Sequence, residues 1–390
     1  MDNIKAHFLL DPEIIYLNHG SFGACPRPVM EVYQAWQLEL ERQPVEFLDR
    51  RFADLLQNSR SILATYLQVQ PDEVVYFQNP TTAINMVALN LIRDKDPFLS
   101  GGDEILTTNH EYGAIDRTWR YICRQVGAHY VQREISLPVS DQDIFVDWFL
   151  RGVNDRTRVI FISHITSPTA LTFPIAEIIR RARQAGILTI VDGAHAPGQI
   201  EPNLHEKDPD IYVGACHKWL CAPKGASFLY ARKDIQHLLD PLVISWGYES
   251  ERPSISQFID YHEWQGTRDL SAFLSVPAAI EFQKEHDWVK IRRKCHAIAV
   301  TTRNRLNTIT GLESICPKDW FNQMVTVRLP KNSNLEILKV RLHDEFRIEV
   351  PVFEWADEKF IRVSYQGYNS DNDMSALLSA VESLLQIPCN

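Results

Sequence analysis

Two short apolar runs near the middle of the chain each deliver polar side chains at their carboxyl ends. Residues 187–191 (ILTIV) lead into Asp192 and His195, and residues 211–213 (IYV) lead into His217 and Lys218. β-Branched runs of this length read as buried parallel strands. In open α/β sheets ligands bind outside the carboxyl ends of the strands, so a carboxylate and a lysine at two such ends can face one pocket. That pair suits pyridoxal 5'-phosphate. The lysine amine forms a Schiff base with the cofactor aldehyde, and an anionic carboxylate keeps the ring nitrogen protonated. Burial beside cationic groups lowers a lysine pKa and frees its amine as nucleophile and base. Taken singly, Asp192 reads as a helix cap and Lys218 as a solvated surface residue. Together, with two histidines at the same strand ends, they favour a site.

Other strand ends add residues of the same kind. The run 74–78 is followed by Asn79-Pro80-Thr81-Thr82 and a helical stretch 83–91. The free N–H groups and dipole of a helix start can seat a phosphate, although threonine also caps helices routinely. The run 104–108 ends in His110, Glu111 and Tyr112, and the run 158–165 ends in His164 and a polar turn. His110 reads either as a ring stacked on an aromatic cofactor or as a hydrogen-bonded core histidine. A rival chemistry gathers His110, His164, His195 and His217 around a metal, with Asp192 as a further ligand. Against it, no HxH or HxxxH spacing is present, and Lys218 would stand as a cation beside the metal.

These residues need a sheet to position them, and the length and composition allow one. The chain has 390 residues, 45% apolar and 23% charged, which is enough for two or three domains with a substantial core. A net charge of −10 argues against nucleic-acid and anionic-membrane partners. Seven cysteines without a CxxC pair indicate neither a disulfide framework nor a zinc ribbon. Residues 1–17 lack the apolar core of a secretory signal, and no run is long enough to span a bilayer. A soluble, cytoplasmic protein is expected.

Strands and helices alternate from about residue 70 to 230, which predicts a mostly parallel sheet. Helices are expected at 26–42, 44–66 and 174–185, and a last sheet strand at 226–230. Residues 241–269, rich in aromatic and turn residues, read as loop. A long helical region is expected at 272–306, followed by strands 324–329, 347–353 and 360–365 that alternate with helices 335–346 and 374–385. The expected organisation is an N-terminal arm (1–25), a large α/β domain (26–275) and a smaller C-terminal α+β domain (276–390).

With these stretches assembled, the chain resembles the class V aminotransferase-like enzymes of pyridoxal-phosphate fold type I, in particular isopenicillin N epimerase-like proteins. The resemblance covers nearly the whole length. It rests on YLNHGSFGACP, NPTTAIN, TNHEYGA, SHITSPTAL, VDGAHAPG, CHKWLCAPKG, GTRD and IRVSYQGYN, taken in that order. It implies that Lys218 is the covalent lysine, Asp192 the partner of the ring nitrogen and His110 the ring-stacking histidine. His195 would lie near the cofactor's phenolic oxygen and His164 beside the ring. Thr81, Thr82 and His217 would hold the phosphate. Thr267 would reach the phosphate of a neighbouring subunit in a homodimer. Arg362 would clamp the α-carboxylate of an amino-acid substrate, with Asn18 and Tyr112 nearby.

The resemblance leaves the reaction open among epimerisation, which it favours, β-eliminating C–S lyase chemistry and transamination. Tyr112, His110 and Tyr248 are candidates for a second acid. The chain departs from relatives in carrying Ala215 where some have a phosphate-binding serine. It also lacks the cysteine that desulfurases carry shortly before the carboxylate-binding arginine, because RIEVPVFEWADEKF contains none.

Overall fold

The structure is a computed structural model and describes residues 4–93 and 97–385. Cys389 and the first three residues of the expected arm lie outside that range. Seven strands form one sheet in the spatial order Val74–Phe77, Ser227–Ala231, Ile211–Ala215, Leu188–Gly193, Thr157–Ser163, Glu104–Thr108, His129–Arg133. Every pairing from Ile211–Ala215 out to His129–Arg133 is parallel, and Ser227–Ala231 is antiparallel to both its neighbours.

Leu188–Gly193 and Ile211–Ala215 are buried along their whole length because both faces of the sheet are covered. Ile160 and Ile162 join one apolar layer, while Val159 and Phe161 join the other. Helices supply those layers. In Ile175–Gln184 the residues Ile175, Ile178, Ile179 and Ala182 recur at helical spacing and form its buried face.

A second, three-stranded antiparallel sheet is built from Val352–Trp355, Glu358–Ser364 and Met324–Leu329. Ala356 and Asp357 close its hairpin in two residues, both at positive φ, as a tight type I′ turn requires. One apolar cluster runs from the large sheet to this small one and includes Phe228, Ala299, Trp320 and Phe360. Ile15–Tyr16 pairs in parallel with Ile348–Glu349, which ties the arm to the C-terminal part of the chain.

The structure corrects several expected elements. Residues 19–22, inside the expected arm, form a helical turn, and Gln257–Glu263 is a helix inside the expected loop 241–269. The helix expected at 44–66 is interrupted near Arg51. The long helix expected at 272–306 is three, Ser271–Leu274, Val276–Glu285 and Trp288–Thr310. Pro277, which starts the second well but cannot continue the first, marks one break. Asp287 marks the other; it stands at positive φ and caps the third helix by accepting from Lys290 N. No described helix is long and apolar enough to cross a membrane.

Candidate active site

The parallel strands Leu188–Gly193 and Ile211–Ala215 run side by side, with Asp192 opposite Val213. Their carboxyl ends open into a cavity of about 170 Å³ lined by Thr81, Tyr112, Asp192, His195, His217 and Lys218, among others. A larger cavity of about 710 Å³, walled by Phe52, Trp246 and Trp264, shares no residue with it. We assign the chemistry to the smaller cavity because only it gathers an amine, a carboxylate and imidazoles.

Lys218 is held at the base of this cavity. Burial brings its amine down to about 8, with nearby Asp192 opposing that shift. Its Nζ lies 3.3 Å from His195 Nε2. The opposite ring nitrogen, Nδ1, accepts from the indole N–H of Trp219 at 3.2 Å. The N-terminal arm fixes the lysine's backbone. His19 Nε2 lies 3.0 Å from the Lys218 carbonyl and its Nδ1 lies 3.0 Å from the Tyr368 hydroxyl. Gly23, at φ +70°, passes so close that a Cβ there would fall 2.0 Å from the His217 carbonyl oxygen. Only glycine meets both demands.

Asp192 accepts from the N–H of Ala194 at 2.9 Å. Burial pushes its carboxyl up, while that N–H and Lys218 oppose the rise. A cation set against its free oxygen would restore the anion. Arg362 is nearly as deeply buried and has no carboxylate partner among the described residues. Its Nη1 donates to the Ser167 carbonyl at 2.5 Å and its Nη2 to Ser21 Oγ at 3.0 Å; its Nε has no partner. Ser21 and Ser167 both line the cavity. An amine, a carboxyl that wants a cation and an arginine that wants an anion form a donor set that fits pyridoxal phosphate carrying an amino acid.

The remaining expected residues divide. His217 lines the cavity with Nδ1 held 3.0 Å from the Ala226 carbonyl. Thr81 lines it at the start of helix Pro80–Asn90. Thr82 instead gives both its N–H and its hydroxyl to Asn79 Oδ1, at 2.8 and 3.1 Å, the arrangement of an ordinary cap. His110 does not line the cavity. Its ring nitrogens face Thr169 Oγ1 at 2.7 Å and the Ile135 carbonyl at 2.9 Å, and its ring packs on Trp355. Tyr112 is the aromatic of that loop on the cavity wall. Asn18 donates to Glu349 and accepts from Ser21, one step removed from Arg362. Tyr248 packs on Tyr261, away from the cavity, and Thr267 is exposed.

His164 is buried with Nδ1 2.9 Å from the Tyr212 hydroxyl. Among the described residues no group of three or more His, Cys, Asp and Glu side chains could hold a metal ion, so the four-histidine metal reading is set aside. The sequence reading missed Trp219, Ser21, Ser163, Ser167 and Glu111. Of these, Trp219 carried a signal as the indole next to the lysine, and Glu111 one as a carboxyl just past a strand end.

A buried lysine and carboxylate at adjoining strand ends of a mostly parallel seven-stranded sheet mark a pyridoxal-phosphate-dependent enzyme of fold type I. The chain belongs to the class-V aminotransferase family, whose pattern matches residues 15–377. It is 35% identical over 396 residues to the isopenicillin N epimerase of Amycolatopsis lactamdurans, covering 98% of each chain. It is 29% identical over 408 residues to a probable chloroplastic L-cysteine desulfhydrase of Arabidopsis thaliana, covering 96% of this chain and 84% of that one. Its fold is similar to the apo cysteine desulfurase of Thermococcus onnurineus NA1, with a TM-score of 0.85 at 19% identity, covering 99% and 98% of the two chains.

Proposed function

We propose that the enzyme acts at the Cα of an amino acid, or of a larger molecule bearing one, and inverts that centre. The observation that carries this reading is the cluster of Lys218, with its amine brought down to about 8, Asp192 in the same cavity, and Arg362 buried without a counter-ion among the described residues. When bound, pyridoxal phosphate supplies an electron sink for the charge left at Cα. Lys218 attaches the cofactor and, as a neutral amine, removes the α-proton. Asp192 holds the proton on the ring nitrogen. His195 donates from Nε2, and His217 and the helix start at Thr81 hold the phosphate. Arg362 binds the substrate carboxylate through its planar fork. Inversion needs an acid on the other face of Cα, and Tyr112 is the candidate that lines the cavity. The relationship to an epimerase at 35% identity over nearly the full chain supports this direction.

Loss of a β-substituent is the second reading, favoured by the desulfhydrase relationship. Cysteine desulfuration is not supported. Residues 347–360, the segment before Arg362, contain no cysteine to act as the nucleophile. We further propose a division near residue 275 into a cofactor-holding part and a closing part. We also propose a homodimer in which Thr267, exposed in the single chain, completes the partner's site.

Purified protein should be yellow, and borohydride should bleach it while fixing the cofactor on Lys218; a Lys218→Ala variant should take no label. Incubation with candidate amino acids in deuterated water separates the reactions. Racemised product carrying deuterium at Cα supports inversion. Pyruvate with sulfide supports elimination, and a keto acid with pyridoxamine phosphate supports transamination. A colourless preparation that binds no added cofactor would sink the whole reading.

A further inference from the structure

Glu111 is a carboxyl group buried behind the cavity wall with nothing positive against it. It is 6% exposed. Thr108 Oγ1 donates to its Oε1 at 2.7 Å, and Ser163 Oγ lies 2.5 Å from its Oε2. The titratable groups that face it are Asp192, from the Leu188–Gly193 strand, and Tyr130, from the edge strand His129–Arg133. Neither is a cation, and among the described residues no lysine or arginine makes an ion pair with it. A carboxyl so placed keeps its proton, because two neutral hydroxyls and one backbone N–H do not offset the loss of water around an anion.

Ser163 connects this carboxyl to the site. It is the register partner of Asp192 on the adjoining parallel strand, and it lines the same cavity. A serine hydroxyl has one proton to give. While Glu111 is protonated, its Oε2–H donates to Ser163 Oγ and the serine proton is free to point into the cavity. Once Glu111 is ionised, Ser163 donates to Oε2 and turns only lone pairs toward the cavity. The lost proton goes to solvent and the hydroxyl rotates; no other bond changes.

We propose that Glu111 and Ser163 form a proton switch in the wall beside Asp192, which offers the cavity a hydrogen-bond donor in one state and an acceptor in the other. In the donor state Ser163 can support the Asp192 anion; in the acceptor state it competes with Asp192 for the same cationic neighbour. The reading of this cavity as the cofactor seat underlies the switch's effect on the enzyme, but not the protonation of Glu111. Burial pushes that carboxyl up to about 8, with both hydroxyls and the Ser163 backbone N–H opposing the rise and Asp192 adding to it.

The experiment is infrared spectroscopy of the purified holoenzyme across a pH series, paired with its visible spectrum. The wild type should show a protonated-carboxyl carbonyl band that disappears with a midpoint near 8, and the cofactor band should shift with the same midpoint. Glu111→Gln should lack that band component at every pH. Its amide N–H donates to Ser163 throughout, so it should keep the low-pH visible spectrum. Ser163→Ala should retain the carbonyl transition, moved to higher pH, and lose the accompanying cofactor shift. A carbonyl envelope unchanged in Glu111→Gln, or a cofactor shift that persists at the wild-type midpoint in both variants, overturns the proposal. A protein that shows the Glu111 band but binds no cofactor refutes the functional reading and leaves the switch standing.

Discussion

The indole N–H of Trp219 donates to Nδ1 of His195, whose Nε2 lies 3.3 Å from the amine of Lys218. An indole nitrogen can only donate, so Nδ1 accepts and a neutral ring carries its proton on Nε2. That proton faces the lysine, which must then accept it as a neutral amine. A second proton on Nδ1 would oppose the indole N–H. Burial likewise holds this imidazole well below its usual range. The tryptophan beside the lysine thus makes His195 a fixed donor.

Replacing Trp219 by Phe should release the ring to take either tautomer. One neutral hydrogen bond is worth about 1 kcal/mol, so turnover should fall about fivefold. Nitrogen-15 NMR should show mixed tautomers. Glutamine at position 195 presents an N–H without any tautomer to choose. The double variant His195→Gln/Trp219→Phe should therefore be no slower than His195→Gln alone. A further loss in the double variant would assign Trp219 a purely packing role.

Arg362 makes a separate prediction because no carboxylate among the described residues neutralises its guanidinium. Hydrogen bonds to charged groups are worth about 1.5–3 kcal/mol. Arg362→Lys keeps the charge but loses the planar fork. It should lower kcat/KM for amino acids by roughly tenfold to a hundredfold and leave the cofactor spectrum intact. An amine analogue without the carboxylate should react equally with both proteins. Equal losses for the two substrates would remove the clamp assignment.

Which parts of this were legible in the sequence follows from where each signal sits. Ile211–Ala215 and Leu188–Gly193 announced themselves because strands buried on both faces carry short, mostly apolar runs. The edge strand His129–Arg133 was missed because its residues are half-exposed and mostly polar. Asp192, His195, His217 and Lys218 could be expected at one cavity, which all four line, because each lies at or just past the carboxyl end of a strand. Ser21, Ser167 and Arg362 meet only because residues far apart in the chain fold together, and no local pattern encodes that. His110 shows the reverse failure. Its position after a strand suggested a site, but both its ring nitrogens are used by Thr169 and Ile135 inside the core.

Glu111 also leaves a mark on stability. Folded, it keeps its proton to about pH 8, whereas the unfolded chain releases it near the ordinary 4.5. Between those values the unfolded state binds fewer protons, so this group lowers stability as pH rises. The slope is on the order of 1 kcal/mol per pH unit. The penalty is absent below the unfolded value and complete above the folded one. Glu111→Gln removes it. Urea midpoints of variant and wild type should therefore diverge in the variant's favour from about pH 5 to pH 8 and run parallel above. A constant offset across that range would mean that Glu111 is not buried as a neutral acid.

The last prediction concerns the surface rather than the cavity. Trp246 is 81% exposed and Ile255 is 96% exposed in the single chain, within the same 241–269 segment that carries exposed Thr267. Large apolar side chains clustered in one segment mark an association surface, and a two-fold dimer would bury this segment against its partner. Ile255→Glu is fully solvated in the monomer, so it should cost little folding stability, yet it places an unpaired charge in the interface. Sedimentation should show the wild type as a dimer and the variant shifted toward monomer. If Thr267 completes the partner's phosphate site, cofactor affinity must fall in step with dissociation, and Thr267→Ala must weaken cofactor binding in the dimer alone. A stable monomer that binds pyridoxal phosphate as tightly as the wild type would confine the site to one chain and leave Thr267 without a role.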